Sequence, residues 1–255
     1  MSRPRILITN DDGIFSPGIH ALWEAMVELG DPTVVAPNME QSAVGHAITL
    51  TDPLRVDPVK RSGGFEGWSV TGTPADCAKI AIKSILDEKP DLLISGINLG
   101  ANVGTNIIYS GTVSAATEGT ILGIPSIAIS LGSYKTDDWR GAKAAAVDLT
   151  RHVLEHGVPK GTLLNVNVPY CDPEEIKGIQ VTRQGNQYFK DEFEERTDPR
   201  RRTYYWMKGQ IIDKDESMEF DGKAVSEKYV SVTPIHFSVT NESYLKELTR
   251  QFSDE

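Results

Sequence analysis

The chain has 255 residues, 39% of them hydrophobic and 24% charged, and a formal net charge of -10. That length holds one large domain or two small ones, no apolar run is long enough to cross a bilayer, and the acidic balance argues against a duplex nucleic-acid partner. Only Cys77 and Cys171 carry thiols, without a partner at metal-ligand spacing, which points to a reducing compartment, the cytosol.

Arg5–Thr9 reads as a short buried strand reached directly from the N-terminus, so no signal peptide is expected. SPGIHALWEAMVEL follows with Ile19, Leu22, Trp23 and Met26 on one helical face, Ser16 as N-cap and Pro17 at the first helical position. PTVVAP is a second strand, AITLTDPLRVDPV alternates like an exposed hairpin, and GWSVTG is another strand. TPADCAKIAIKSIL is a helix capped by Thr73, with Pro74 in its first turn and Asp76 as the capping-box acid. PDLLISGIN is a strand running into a loop, SGTVSAATEGTIL a helix of small residues that packs closely, and PSIAIS a strand. DDWRGAKAAAVDLTRHVLEH is a long helix and TLLNVNVP a strand. This alternation predicts a doubly wound α/β fold with a mainly parallel sheet.

Beyond Pro169 the pattern changes. Residues 181–212 mix charge blocks with aromatics and read as a projecting hairpin arm. Arg200, Arg201 and Arg202 are balanced by Asp191, Glu192, Glu194 and Glu195, so a solvated arm or subunit contact is favoured over a nucleic-acid contact. KYVSVTPIHF is a late strand, and NESYLKELTRQF a terminal helix capped by Asn241. The expectation is a single domain over 1–255, with the core in about residues 1–170 and an arm with oligomerisation elements in about 171–255.

In a parallel sheet, ligands bind where the loops leave the carboxyl ends of the strands. The first such loop holds Asp11 and Asp12. A turn explains the residue types in Asn10-Asp-Asp-Gly13, but not two adjacent charges that repel unless a cation joins them. Ser42 in the next loop and Asn98 after PDLLIS add neutral oxygens. The all-oxygen set Asp11, Asp12, Ser42 and Asn98 suits Mg²⁺ or Mn²⁺ rather than structural zinc. The glycine-rich loop after Asn98 ends at Ser110-Gly111-Thr112, where a helix begins and free N–H groups suit a phosphate. His46 and His236 are the histidines to consider as leaving-group acids. His20, His152 and His156 lie on helices, and the H-x-x-E-H pattern from His152 to His156 lacks an evident third ligand.

The motifs ILITNDDG, SPGI, VVAP with QS, GTPADC, SGIN with GAN, YSGTVSAA, GIPSIAIS, LNVNVP and YVSVTP run in order from Ile6 to Pro234. In this the chain resembles the SurE family of survival proteins. The resemblance implies a Rossmann-like core and a divalent-metal-dependent phosphatase of nucleoside monophosphates. It implies a 5'-nucleotidase first, with 3'-nucleotides and other phosphomonoesters as further candidates. It places the family's metal ligands on Asp11, Asp12, Ser42 and Asn98, with one ion per subunit, and its phosphate-side loop on Asn102, Ser110, Gly111 and Thr112. It also implies a homodimer or homotetramer built through exchanged C-terminal elements. EFDGKAVSEKYVSVTP departs from the family in lacking Gly-Thr-Asp near Asp221.

In the expected reaction Asp11 and Asp12 hold the metal, and Asp11 orients or deprotonates the attacking water or attacks directly. Three rivals fit less well. A haloacid dehalogenase phosphatase needs Asp-x-Asp, and Asn10 stands two before Asp12. A receiver module needs an Asp ending its third strand, where this chain has Ser95 and Asn98. A binding protein without turnover would release no phosphate from a nucleoside monophosphate.

Overall fold

The structure, a computed structural model, describes residues 3–253. Its elements in chain order are β1 (Arg5–Thr9), α1 (Pro17–Val27), β2 (Asp31–Pro37), β3 (Val56–Lys60), β4 (Glu66–Val70), α2 (Pro74–Ile80) and β5 (Leu92–Leu99). They continue with α3 (Gly111–Ile121), β6 (Ser126–Leu131), α4 (Arg140–His156), β7 (Thr162–Val168) and β8 (Ile179–Val181). The chain closes with β9 (Tyr188–Thr197), β10 (Thr203–Ile212), α5 (Asp221–Ser226), β11 (Val230–His236) and α6 (Glu242–Ser253).

One sheet has the order β3-β4-β2-β1-β5-β6-β7-β11-β8. It is parallel from β4 through β7, with β3 and β11 antiparallel to their neighbours β4 and β7. Strands beyond residue 170 therefore complete the same sheet. Alternation along each central strand feeds two cores. Ile6 and Ile8, Leu92 and Ile94, and Ile127 and Ile129 pack under α1 and α4. Leu7, Leu93 and Ala128 face the opposite way, against Cys77 and Ala78 of α2 and Val113 and Ala116 of α3. The arrangement is the three-layer, doubly wound α/β fold expected.

Local signals read from the sequence account for the helix starts. Ser16 accepts from the Ile19 N–H. Thr73 and Asp76 form both halves of the capping box. The Asn241 side chain accepts from the Tyr244 N–H at 3.0 Å. Two expectations are corrected. The helix after Thr73 gives way at Ala81–Ile85 to a wider π-type turn, with Leu86 N–H bonding back to the Ala81 carbonyl. Residues 47–59 do not form a hairpin of their own: only β3 is a strand, and it pairs with β4. The stretch before it is claimed elsewhere. The Asp76 carboxylate takes the Thr49 N–H at 3.0 Å, and the Thr73 hydroxyl donates to the Ala47 carbonyl at 2.7 Å.

The arm is a two-stranded antiparallel hairpin of β9 and β10, running from the Tyr188–Ile212 pair to the Thr197–Thr203 pair. Directly opposed residues share a face, so Phe189 with Ile211 and Phe193 with Met207 line one side. All four are exposed. No residue of α6 is buried, and among the described residues no helix is long and apolar enough to cross a membrane.

Candidate active site

From β1 the chain builds the sheet outward through β2 and β4; after α2 it returns to the other side of β1 with β5 and continues through β6 and β7. The order thus reverses between β1 and β5, and a ligand crevice is expected at their carboxyl ends. The last β1–β5 pair is Thr9 with Ser95. Asp12 and Asn98 each follow that pair by three residues: Asp12 stands in the loop after β1, while Asn98 is still in β5, past its pairing with β1 and paired with Ser130 of β6. β5 reaches Asn98 through a register shift against β6, between Ser95 and Asn98, an irregularity common beside functional sites.

Asp11 is 4% exposed. The Thr112 hydroxyl donates to its Oδ1, and α3 approaches so closely that a Cβ on Gly111 would lie 2.7 Å from the Asp11 Cβ and 2.9 Å from its Oδ2. The positive end of a helix thereby abuts a carboxylate. Neither Asp11 nor Asp12 forms an ion pair among the described residues. Burial pushes the Asp11 carboxyl up, against the pull of the Thr112 hydroxyl and of backbone N–H groups. Asp12 is pushed up to about 7, by burial first and then by the charges of Asp11 and Glu40. Glu40 is a third acid the sequence reading missed, although it lies two residues before Ser42 in the loop already placed beside the pair.

These shifts carry a stability consequence. An unfolded aspartate ionises near ~3.9, so between that pH and about 7 the metal-free folded chain holds a proton on Asp12 that the unfolded chain has lost. Stability then falls as pH rises through that window and levels off above it. The metal-free protein is expected to melt at a higher temperature near about pH 5 than near about pH 8. Thermal unfolding in chelator checks this; the opposite order would contradict the burial of an unneutralised pair.

Ser42 sits in the loop after β2, which is tied to the pair because the Gln41 N–H donates to the Asp11 carbonyl at 2.7 Å. Its hydroxyl donates to Glu40 at 2.7 Å. The Asn98 amide nitrogen donates to the Gly100 carbonyl at 2.7 Å, leaving its oxygen without that tie. Asn102 is locked to the sheet: its N–H donates to Asn167, its side chain to Ser130, and its carbonyl accepts from Asn165 and Asn167. The Ser110 hydroxyl caps α3 by accepting the Val113 N–H. Ser110, Gly111 and Thr112 thus stand beside Asp11, with both hydroxyls already bonded within the protein.

His46 Nε2 is 3.0 Å from buried Glu118, whose other oxygen is 3.1 Å from Lys79. Burial pushes the Glu118 carboxyl up, but those two partners outweigh it and leave it lowered. His236 pairs with Thr162 at the start of β7, the opposite edge of the sheet from Asp11, which removes it as a leaving-group acid. His152 and His156 stack on each other at 4.6 Å, and no group of three His, Cys, Asp or Glu able to hold a metal occurs among the described residues. A cavity of about 350 Å³ bordered by Arg5, Asp31 and Glu88 lies at the amino edge, remote from the carboxylates.

Residues 6–191 match the family model described as "Survival protein SurE". The chain belongs to the SurE family. It is 49% identical over 237 residues to a protein of Syntrophobacter fumaroxidans named 5'-nucleotidase SurE, covering 93% of this chain and 95% of that one. A protein of the same name from Christiangramia forsetii is 49% identical over 250 residues, covering 97% and 96%. The crystal structure of the SurE protein from Aquifex aeolicus superposes with a TM-score of 0.84 at 44% identity, covering 97% of this chain and 99% of that one.

Proposed function

We infer that the chain is a 5'-nucleotidase, a phosphomonoesterase, and that one divalent ion per subunit, Mg²⁺ or Mn²⁺, is held by Asp11, Asp12, Ser42 and Asn98. The observation that carries the metal reading is the carboxylate pair at the β1–β5 switch point, Asp11 buried and Asp12 half-buried, without a cationic partner among the described residues. Two charged and two neutral oxygen donors suit a hard cation, with water or substrate oxygens completing its shell. When bound, the ion would polarise the phosphate P–O bonds and offset charge in the transition state.

The chain's own residues supply the rest. Thr112 and the abutting α3 terminus favour the ionised form of Asp11 and fix its orientation, so that it can be both a ligand and the group that orients or deprotonates the attacking water. Asn102, Ser110, Gly111 and Thr112 form the phosphate side. The first-turn N–H groups of α3 point along the dipole that favours an anion. The Asn102 network fixes where that loop leaves the sheet. Nucleoside 5'-monophosphates are the proposed substrates, with 3'-nucleotides and other phosphomonoesters as candidates for a wider range. The test is phosphate release from a nucleoside 5'-monophosphate after exhaustive chelation and after return of Mn²⁺ or Mg²⁺. Turnover that needs the added ion supports the reading, and full turnover in chelator sinks it.

The assembly proposed is a homodimer or homotetramer. The apolar face of the arm and α6 find no cover among the described residues of one chain, and an isolated hairpin is marginal in water. A second copy, meeting the same face by symmetry, is the occupant proposed. Light scattering at micromolar concentration is expected to give at least twice 28.0 kDa; a monomer mass would contradict it.

A further inference from the structure

Asp221, at the start of α5, is fully buried. Its carboxylate accepts three backbone N–H groups from three separate segments: Gly104 at 3.0 Å, Gly185 at 2.9 Å and Gly222 at 2.8 Å. Gly104 belongs to the loop that runs from β5 to α3. Gly185 belongs to the base of the β9–β10 arm. Further bonds bridge the same two segments. Thr105 donates to the Gln187 carbonyl through its N–H at 2.8 Å and its hydroxyl at 3.1 Å. The Gln184 side chain donates to the Gly104 carbonyl at 2.9 Å. The two backbones cross so closely that a Cβ on Gly104 would meet the Gln187 carbonyl oxygen at 2.3 Å.

The loop is therefore held at two points. Asn102 is tied to the sheet through Asn165, Asn167 and Ser130. Gly104, two residues on, is tied to the arm through Asp221. From there a six-residue 3₁₀ helix, Gly104–Tyr109, leads into Ser110 and the terminus of α3 that abuts Asp11. We propose that Asp221 is a positioning residue for catalysis: by clamping the β5–α3 loop to the base of the arm, it sets where that loop delivers the α3 terminus against Asp11. Asp221 touches neither Asp11 nor Asp12, so it acts through the loop. A small displacement there matters, because a misplacement of about 1 Å costs on the order of 100-fold in rate. The proposal rests on the nucleotidase reading only for its rate readout.

The test is Asp221→Asn in the full chain. The amide keeps the size of the carboxylate but turns its NH₂ group toward N–H donors, so one side of the clamp opens. Hydrogen exchange of the 104–110 and 184–187 segments is expected to quicken by about 10-fold or more, with β1 and α1 unchanged. At saturating substrate and metal, kcat per folded molecule is expected to fall at least about 10-fold. Opening of the 104–110 segment with wild-type kcat would make Asp221 a fold staple only and overturn the proposal; so would unchanged exchange there. Should Asp221→Asn not fold, Gln184→Ala removes a single bond of the same crossing. It is expected to shift both readouts in the same direction by a smaller factor, and no shift in either would overturn the proposal. Exchange is read without turnover, and wild-type phosphate release reports separately on the nucleotidase reading.

Discussion

Asp11→Asn is expected to cut phosphate release by about 1,000-fold or more while leaving the metal-free fold as stable as before, or slightly more so. Asparagine keeps the shape of the side chain and still offers an oxygen to the Thr112 hydroxyl. What it loses is one negative charge facing Asp12, which burial first and then the charges of Asp11 and Glu40 push up. Stability and activity should therefore move apart. A loop that merely turned would behave otherwise, because asparagine is an equally good turn residue and the substitution would be silent in both. Thermal unfolding in chelator, beside turnover at saturating Mn²⁺, distinguishes the two. A folded Asp11→Asn protein with wild-type turnover would remove Asp11 from the chemistry.

Gly111→Ala should damage the site without removing any functional group. Helix propensity taken alone favours alanine over glycine by up to about 1 kcal/mol. The added methyl, however, would sit 2.7 Å from the Asp11 Cβ and 3.1 Å from the Pro74 ring. Overpacking of this kind costs about 1–3 kcal/mol, so sterics win and the protein loses stability. The accommodation must move either α3 or Asp11, and a shift on the scale of 1 Å is expected to lower kcat by about 100-fold. Denaturant unfolding and kcat at saturating metal check both halves. A variant more stable than wild type with unaltered kcat would mean that the contact between α3 and Asp11 is slack.

The elements that position the site were legible because their signals are local. Ser16, the Thr73–Asp76 box and Asn241 announce helix starts within three residues, and short apolar strands alternating with helices announce a parallel sheet covered on both faces. Asp11 and Asp12 stood out as adjacent charges where a buried strand ends, an arrangement that turn chemistry alone does not need. What was hidden depends on contacts distant in sequence. The tie between the Thr112 hydroxyl and Asp11 spans 101 residues, so the sequence could not show that a residue of the phosphate-side loop also orients the carboxylate. The partner of His46, Glu118, lies 72 residues away, so the sequence could not show how that ring is held. Residues 47–59 alternate as a hairpin would; Asp76 and Thr73 capture the backbone of the first part instead. The clamp at Asp221 joins residues 117 apart, so no window of sequence could display it.

The most direct test of the central claim, that the carboxylate pair exists to hold a divalent ion, is Mn²⁺ binding followed by electron paramagnetic resonance in the wild type and in Asp12→Asn. The wild type is expected to take up one Mn²⁺ per chain. Loss of a group that merely orients a ligand costs about 10–100-fold in metal affinity, so removing the charge of a ligand itself should weaken binding by about 100-fold or more. A folded Asp12→Asn protein that binds Mn²⁺ as tightly as the wild type would contradict the account.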